Sequence, residues 1–330
     1  MDAVTVLGAG AWGTALAIVL ARSGHAVKLA VRRKLQLAAL RQDRENRAYL
    51  SAVQFPSELH LAEMSRDSIH DADAIVMAIP SGFARETLAP MASAIPQESH
   101  MISVSKGIEQ DSLRTMSQML AELAPPAGRI AVLSGPGFAP EIARGKPAAL
   151  VAAAHSEAVA RRVQNLFAAK PLRVYRSLDV MGLELGGASK NVIAIATGIS
   201  DGLALGSGAR AALITRGLAE MMRLARAAGA KQETLAGLAG LGDLVLTSTG
   251  DLSRNRRLGL ALGRGEGISL PVEGASIAEG VVNARAIVRL AERRGVEMPI
   301  SSAVYRILYE AASPSAMVEE LLSRELKAEF

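Results

Sequence analysis

In residues 184–198, ELGGASKNVIAIATG, Lys190 is the only cation in a run of glycines, alanines and small apolar side chains. After Asp179 the chain has only two other lysines, Lys231 and Lys327. A buried ammonium that loses its hydration needs a charge or a ligand in exchange. On a helix Lys190 shares a face with Gly186, Gly187, Ile193 and Ala194, at the i±3 and i±4 positions. Desolvation and neighbouring cations there would lower its pKa toward the working range of an acid/base. Taken alone, the stretch fits a functional amine and a lysine snorkelling to the surface along its apolar neighbours equally well.

Residues 239–257, AGLGDLVLTSTGDLSRNRR, add a carboxylate and an anion site. Asp243 lies between glycine and leucine. Ser253 is a natural helix N-cap, which puts Arg254 and Asn255 in the first turn. Free backbone donors, the helix dipole and an arginine fork then converge, as a phosphate or carboxylate requires. Arginine in a first turn opposes the dipole unless an anion is present, which favours this reading over a solvated face.

The N-terminal GAGAWG sets Gly8, Gly10 and Gly13 in the G-x-G-x-x-G spacing after an apolar strand and before a helix. Gly8 allows the tight turn, Gly10 the approach of a pyrophosphate and Gly13 close packing of helix on strand. A dinucleotide is the expected ligand. At the end of the second strand, LAVRRK offers Arg32, Arg33 and Lys34 where an NAD-preferring site carries a carboxylate. Cations suit a ribose 2′-phosphate, so NADP(H) is the preferred cofactor and NAD(H) the other; a solvated basic loop is the alternative reading. SVSKGI (103–108) and SGPGFAPEIARG (134–145) each end a strand and turn into a helix, which aims Lys106 and Gly135 at the nicotinamide end. A nicotinamide carries hydride, but the protein must still exchange a proton with the substrate oxygen. The five histidines, His25, His60, His70, His100 and His155, all precede Asp179, so none comes from the C-terminal part. With no cysteine, no His-x-x-x-His spacing and no clustered carboxylates, no metal is expected. Lys190 is the best-placed proton carrier.

The elements that must position these groups fall into two kinds. Strand-like runs at 3–8, 26–31, 72–80, 100–107, 129–137, 148–153 and 172–177 alternate with helix-length segments such as 82–94 and 111–124, the pattern of a mostly parallel, doubly wound α/β sheet. From about 180 only helices are expected, near 182–204, 208–228, 231–240, 253–264, 276–294, 300–311 and 315–327. The expected domains are therefore a Rossmann-like dinucleotide-binding domain over 1–179 and an all-helical substrate-binding and catalytic domain over 180–330. The 330 residues permit an ample core. A charge of +5 with only 3% aromatic residues provides few stacking platforms for nucleic acid, and no apolar run is long enough to span a bilayer. Anionic small molecules are the better partners. Zero cysteines fit a cytoplasmic location.

GAGAWGTALA, SKGIE, SGPGFAPEIA, GGASKNVIAIATGISDGL, ALITRGLAEM, AGLGDLVLT, SRNRR and EG-x-x-x-A, in this order over residues 3–311, closely resemble bacterial NAD(P)-dependent glycerol-3-phosphate dehydrogenases. The resemblance implies reversible NAD(P)H-dependent reduction of dihydroxyacetone phosphate to sn-glycerol 3-phosphate, supplying phospholipid synthesis, by a cytoplasmic homodimer. It makes Lys190 the acid/base, oriented by Asp243, and places Lys106, Gly135, Gly137, Asp243, Ser253, Arg254 and Asn255 around the substrate. Gly8, Gly10, Ala11, Trp12, Gly13, Arg32, Arg33, Lys106, Ala139, Arg254, Ile277 and Glu279 would lie along the cofactor. The glycines beside Lys190 then read as room for a small phosphorylated substrate. Gly137 departs from the family's usual serine, threonine or asparagine, Arg33 from an acidic or polar residue and Ala30 from tryptophan. Three rival readings remain: a ketopantoate- or β-hydroxyacid-type reductase with a catalytic lysine, a non-catalytic dinucleotide sensor, and a nucleic-acid module resting on Arg285, Arg289 and Arg293, which also fit a solvated helix face.

Overall fold

The computed structural model describes residues 1–123, 127–170, 172–266, 278–326 and 328. Short apolar runs form the strands of its sheet: β1 (Ala3–Leu7), then α1 (Ala11–Arg22), β2 (Ala26–Val31) and α2 (Lys34–Asp43). A small hairpin of β3 (Glu45–Asn46) and β4 (Leu50–Gln54) follows, then β5 (Leu59–Glu63) and β6 (Ala74–Met77). The rest of this part is α3 (Ala84–Leu88), β7 (His100–Ser103), α4 (Met116–Leu123), β8 (Ile130–Ser134), α5 (Ala139–Ala143), β9 (Ala148–Ala154), α6 (Glu157–Phe167) and β10 (Leu172–Ser177). Eight strands pair in the order β10-β9-β8-β7-β6-β1-β2-β5. All neighbours run parallel except β8 and β9, so the sheet is mostly parallel, as expected. Both faces are covered. Leu16, Ile18 and Leu20 of α1 and Val163 and Phe167 of α6 pack on one side, and Leu88, Met116, Met119 and Leu120 on the other.

From Val180 onward the described residues hold helices only: α7 (Val180–Gly202), α8 (Gly206–Ala227), α9 (Gln232–Ala236), a π turn at Leu238–Gly242, α10 (Asp243–Thr249), α11 (Arg254–Gly263), α12 (Glu279–Arg294), α13 (Pro299–Tyr309) and α14 (Pro314–Leu322). Asp179 caps α7, its side chain accepting from the Gly182 N–H at 3.0 Å. Buried along nearly its whole length, α7 is the axis of this half. It crosses α11 backbone to backbone: a Cβ on Gly198 would run into the Arg256 carbonyl, and one on Gly259 into the Ile195 carbonyl. Among the described residues no helix is long and apolar enough to cross a membrane.

Several expected segments came out differently. The 82–94 helix is broken into a 3₁₀ turn, α3 and a second 3₁₀ stretch, which Pro90 opens. Residues 111–115 are not helical, because Leu113 takes φ +59° and Ile108 bridges Thr115. The 231–240 helix stops at Ala236, where Gly237 is extended. Neither β5 nor the β3–β4 hairpin was expected. Residues 124, 276–277 and 327, at the ends of three expected helices, lie outside the described residues.

Candidate active site

The glycine turn joins β1 to α1 at the point where the sheet order reverses, between β1 and β6. Gly8 takes φ +111°, and a Cβ there would stand 2.6 Å from the Ala78 carbonyl of the strand alongside. A Cβ on Gly13 would collide with the Gly8 carbonyl, whereas one on Gly10 would meet nothing within 4 Å. The first intrahelical bond runs from the Thr14 N–H to the Gly10 carbonyl, which leaves the N–H groups of Ala11, Trp12 and Gly13 facing the crevice. The first turn of α1 carries no acidic residue. Trp12 Nε1 is buried without a partner among the described residues. These features fit the pyrophosphate and amide groups of a dinucleotide.

The cations after β2 have separate settings. Arg32 lies over the Phe83 ring at 5.8 Å, across the carboxyl end of β6. Arg33 donates to the Tyr49 hydroxyl at 2.6 Å. Lys34 faces Glu63, 3.7 Å away at the end of the neighbouring β5. A carboxylate thus stands near this edge after all, on a strand the sequence did not reveal.

Lys190 is 5% exposed, which excludes snorkelling. Its Nζ donates to Asp243 Oδ1 at 2.5 Å and to Thr247 Oγ1 at 2.8 Å. The other carboxylate oxygen, Oδ2, accepts from Lys106 Nζ at 2.5 Å, and Lys106 also donates to the Gly135 carbonyl at 3.1 Å. Two ammonium groups, one from each half of the chain, share one buried carboxylate. Burial works to raise the Asp243 carboxyl, but Lys106 and Lys190 outweigh it and hold it below the usual carboxylate range. Burial pushes the Lys190 amine down to about 7, with Asp243 opposing and Lys106 assisting. That value suits a group that must both give and take a proton near neutrality.

The neighbouring glycines serve the protein itself rather than a substrate. A Cβ on Gly186 would stand 2.8 Å from the Ala239 carbonyl, so its bareness admits the π turn before Asp243. One on Gly187 would stand 3.3 Å from Lys106 Cγ, so the Lys106 stem passes over α7 there. The expectation of substrate room at these two positions is corrected.

Ser253 caps α11 as expected, its Oγ accepting from the Arg256 N–H at 3.2 Å. This opens the helix with Arg254 and Asn255. Asn255 is more heavily engaged than expected: its amide donates to Asn191 Oδ1 at 2.9 Å, and its Oδ1 accepts from the Gly280 N–H at 3.0 Å. Its remaining donors are one amide hydrogen and the backbone N–H. Half-buried Glu279 begins α12 with its carboxyl raised by burial, against the opposing charges of Arg254, Lys106 and Lys190. These four groups therefore bear on one region. Gly135, at φ +139°, lies against the Ala149 carbonyl, and Ala139 opens α5. The space a side chain on Gly137 would take is filled by the Ile142 δ-methyl, with the Trp12 ring behind it. Ile277 lies outside the described residues.

Two family models cover most of the chain: the N-terminus of NAD-dependent glycerol-3-phosphate dehydrogenase over residues 3–160 and its C-terminus over residues 179–319. The chain belongs to that family. Relatives named glycerol-3-phosphate dehydrogenase [NAD(P)+] include those of Citrifermentans bemidjiense, 47% identical, and Nitratidesulfovibrio vulgaris, 45% identical, each alignment covering 99% of both chains. The crystal structure of glycerol-3-phosphate dehydrogenase from Coxiella burnetii superposes with a TM-score of 0.91 at 40% identity, over 98% of this chain and 99% of that one. A PanE/ApbA family ketopantoate reductase from Ralstonia eutropha reaches a TM-score of 0.62 at 19% identity, over 96% of this chain and 99% of that one. That likeness shows a shared fold alone.

For this member of the family, sequence reading missed Thr247, Asn191 and Asn283. Thr247 was within reach, since it lies one helical turn beyond Asp243. Asn191 adjoins Lys190. Asn283 gave no local signal.

Proposed function

We propose that the protein reduces dihydroxyacetone phosphate to sn-glycerol 3-phosphate with NADPH or NADH, and runs the reverse oxidation. The observation that carries this reading is the buried Lys106–Asp243–Lys190 cluster beside the glycine turn, with the capped start of α11 contributing Arg254. Gly8, Gly10, Gly13, Ala11, Trp12, Arg32, Arg33, Ala139 and Glu279 hold the dinucleotide, which supplies the hydride when bound. Arg254, the free donors of Asn255 and the α11 N-terminus hold the substrate phosphate. Lys190, held by Asp243 and Thr247, gives its proton to the C2 oxygen, and in oxidation takes it back. Lys106 adds a second positive charge where negative charge develops on that oxygen.

Arg32 and Arg33 support a preference for NADP(H), since Lys34 is drawn toward Glu63. This reading takes 1–179 as the dinucleotide-binding domain and 180–330 as the catalytic domain, supported by the last strand ending at Ser177 and the cap at Asp179. It also takes the protein as a cytoplasmic homodimer that supplies phospholipid synthesis.

The deciding experiment follows absorbance of NADPH and NADH on addition of dihydroxyacetone phosphate, with ketopantoate as the competing substrate. Consumption with the phosphorylated ketone alone is expected. No consumption, or preference for the keto acid, overturns the reading. Arg32→Ala and Arg33→Ala should raise the NADPH KM and leave that for NADH; equal effects on both would remove the cofactor preference.

A further inference from the structure

Asn283 is fully buried on α12. Its amide nitrogen donates to two backbone carbonyls, that of Lys106 at 2.8 Å and that of Ala188 at 3.2 Å. Only the NH₂ end of the side chain can serve two carbonyls, so the orientation follows from the chemistry. One of these carbonyls belongs to Lys106 itself and the other lies two residues before Lys190. Space for the approach comes from Gly107, where a Cβ would stand 2.8 Å from Asn283 Oδ1 and would also strike Ser81. The same stretch is tied to α12 twice more: Gln110 donates to the Val282 carbonyl at 3.0 Å, and Arg289 to the Gln110 carbonyl at 2.7 Å.

We propose that Asn283 is a positioning residue that holds the backbone of Lys106 against α7, so that the Lys106 and Lys190 ammonium groups meet on opposite oxygens of Asp243. The inference rests on the function proposed above and deepens it. Asn283 acts through Lys106: its hydrogen bonds among the described residues go to the Lys106 and Ala188 carbonyls, not to the Lys190 or Asp243 side chains. The ionisable groups that bear on Lys190 are Asp243 from α10 and Lys106 from the loop after β7, with Glu279 of α12 and Arg254 of α11 beyond them. If Lys106 is released, a cation that opposes protonation of Lys190 moves away, and Asp243 is left to Lys190 alone. Lys190 then keeps its proton to higher pH.

The test compares Asn283→Leu, which keeps the branched four-atom skeleton and removes both donors, with Asn283→Ser, which retains one. In Asn283→Leu, kcat for reduction should fall about tenfold, the cofactor KM should stay the same, and the pH midpoint of kcat should rise by about one unit. Asn283→Ser should show a smaller rise, and it carries the test if Asn283→Leu fails to fold. In a Lys106→Met background Asn283→Leu should move the midpoint no further, since its effect runs through Lys106. A midpoint unchanged in both single variants, or an equal shift in the Lys106→Met background, overturns the proposal. Nitrogen-labelled lysine NMR reads the Lys190 titration without turnover. Failure of the wild-type protein to reduce dihydroxyacetone phosphate is therefore distinguishable from failure of this inference.

Discussion

In the proposed mechanism the two directions of the reaction ask opposite things of Lys190. Reduction needs the ammonium and oxidation the free amine, and burial brings the group to about 7. The rate of reduction should be flat at acid pH and fall as pH rises through about 7, while oxidation should rise over the same interval; initial rates in both directions across pH check this. A limb of the same sign in both directions would assign the proton to another group. Stability follows by linkage. The folded amine sits below its ordinary 10.5, so between about 7 and 10.5 the unfolded chain holds the proton and the folded one does not. The contribution of this lysine to stability is complete above that window and lost as pH falls through about 7. Lys190→Ala should lower kcat by about 10²–10⁴-fold and leave NADPH binding, read by fluorescence, unchanged. Retention of most of the wild-type rate would remove the assignment.

Elements place this lysine, and the sequence revealed them unevenly. The run AVKLAV is β2 to the residue, because a strand flanked on both sides is mostly apolar, broken here only by half-exposed Lys28, which pairs with Asp71. The start of α11 was legible because Ser253 is a local signal. LHLAE was passed over as β5 because an edge strand is half-exposed and ends in charge. The run at 148–153 was read as a strand and is β9, but its antiparallel pairing with β8 was hidden because apolar periodicity carries no strand direction. The links from Asn283 to Lys106 and from Glu184 to Ser117 join residues 177 and 67 positions apart, and no local pattern encodes such pairs. Between these cases lies the α7–α11 crossing, whose glycines at 198, 202, 259 and 263 stand four apart on each helix and mark a close approach. This crossing brings Asn255 to Asn191 and sets where α11 begins. Gly259→Ala places a methyl against the Ile195 carbonyl. It should cost about 1–3 kcal/mol, raise the KM for the phosphorylated substrate and leave the cofactor Kd unchanged. Gly208→Ala on α8 is the matched control, since a Cβ there meets nothing within 4 Å. It should be neutral or stabilising by up to about 1 kcal/mol. Equal loss in both variants, read by denaturant midpoint, would show that the crossing is not what Gly259 serves.

Across the whole molecule, the sheet and the helices are joined by polar links near the site. Lys106 meets Asp243, Asn283 meets the Lys106 backbone, and Glu184 of α7 meets the first turn of α4. Glu184 is 5% exposed and accepts from Ser117 N–H at 2.7 Å and Ser117 Oγ at 2.5 Å. Burial raises its carboxyl above the usual 4.5, with the Ser117 and Thr115 bonds opposing. A raised folded pKa means that the folded chain holds this proton more tightly than the unfolded chain. The stability it contributes is therefore complete below 4.5 and lost as pH rises through the folded value. Glu184→Gln copies the protonated acid, with one carbonyl to accept from Ser117 N–H and one donor for Ser117 Oγ, and it does not titrate. At acid pH the variant and wild type should have the same urea midpoint. As pH rises toward neutrality the wild type should lose stability relative to the variant. Glu184→Ala gives the contrast, because it strands the Ser117 N–H and should cost about 1–3 kcal/mol throughout. The other carboxylates titrate alike in both proteins, so the difference between the two midpoints isolates Glu184. A difference constant from acid to neutral pH would mean that the charge at this junction is fully compensated, and that the link between sheet and helices does not respond to pH.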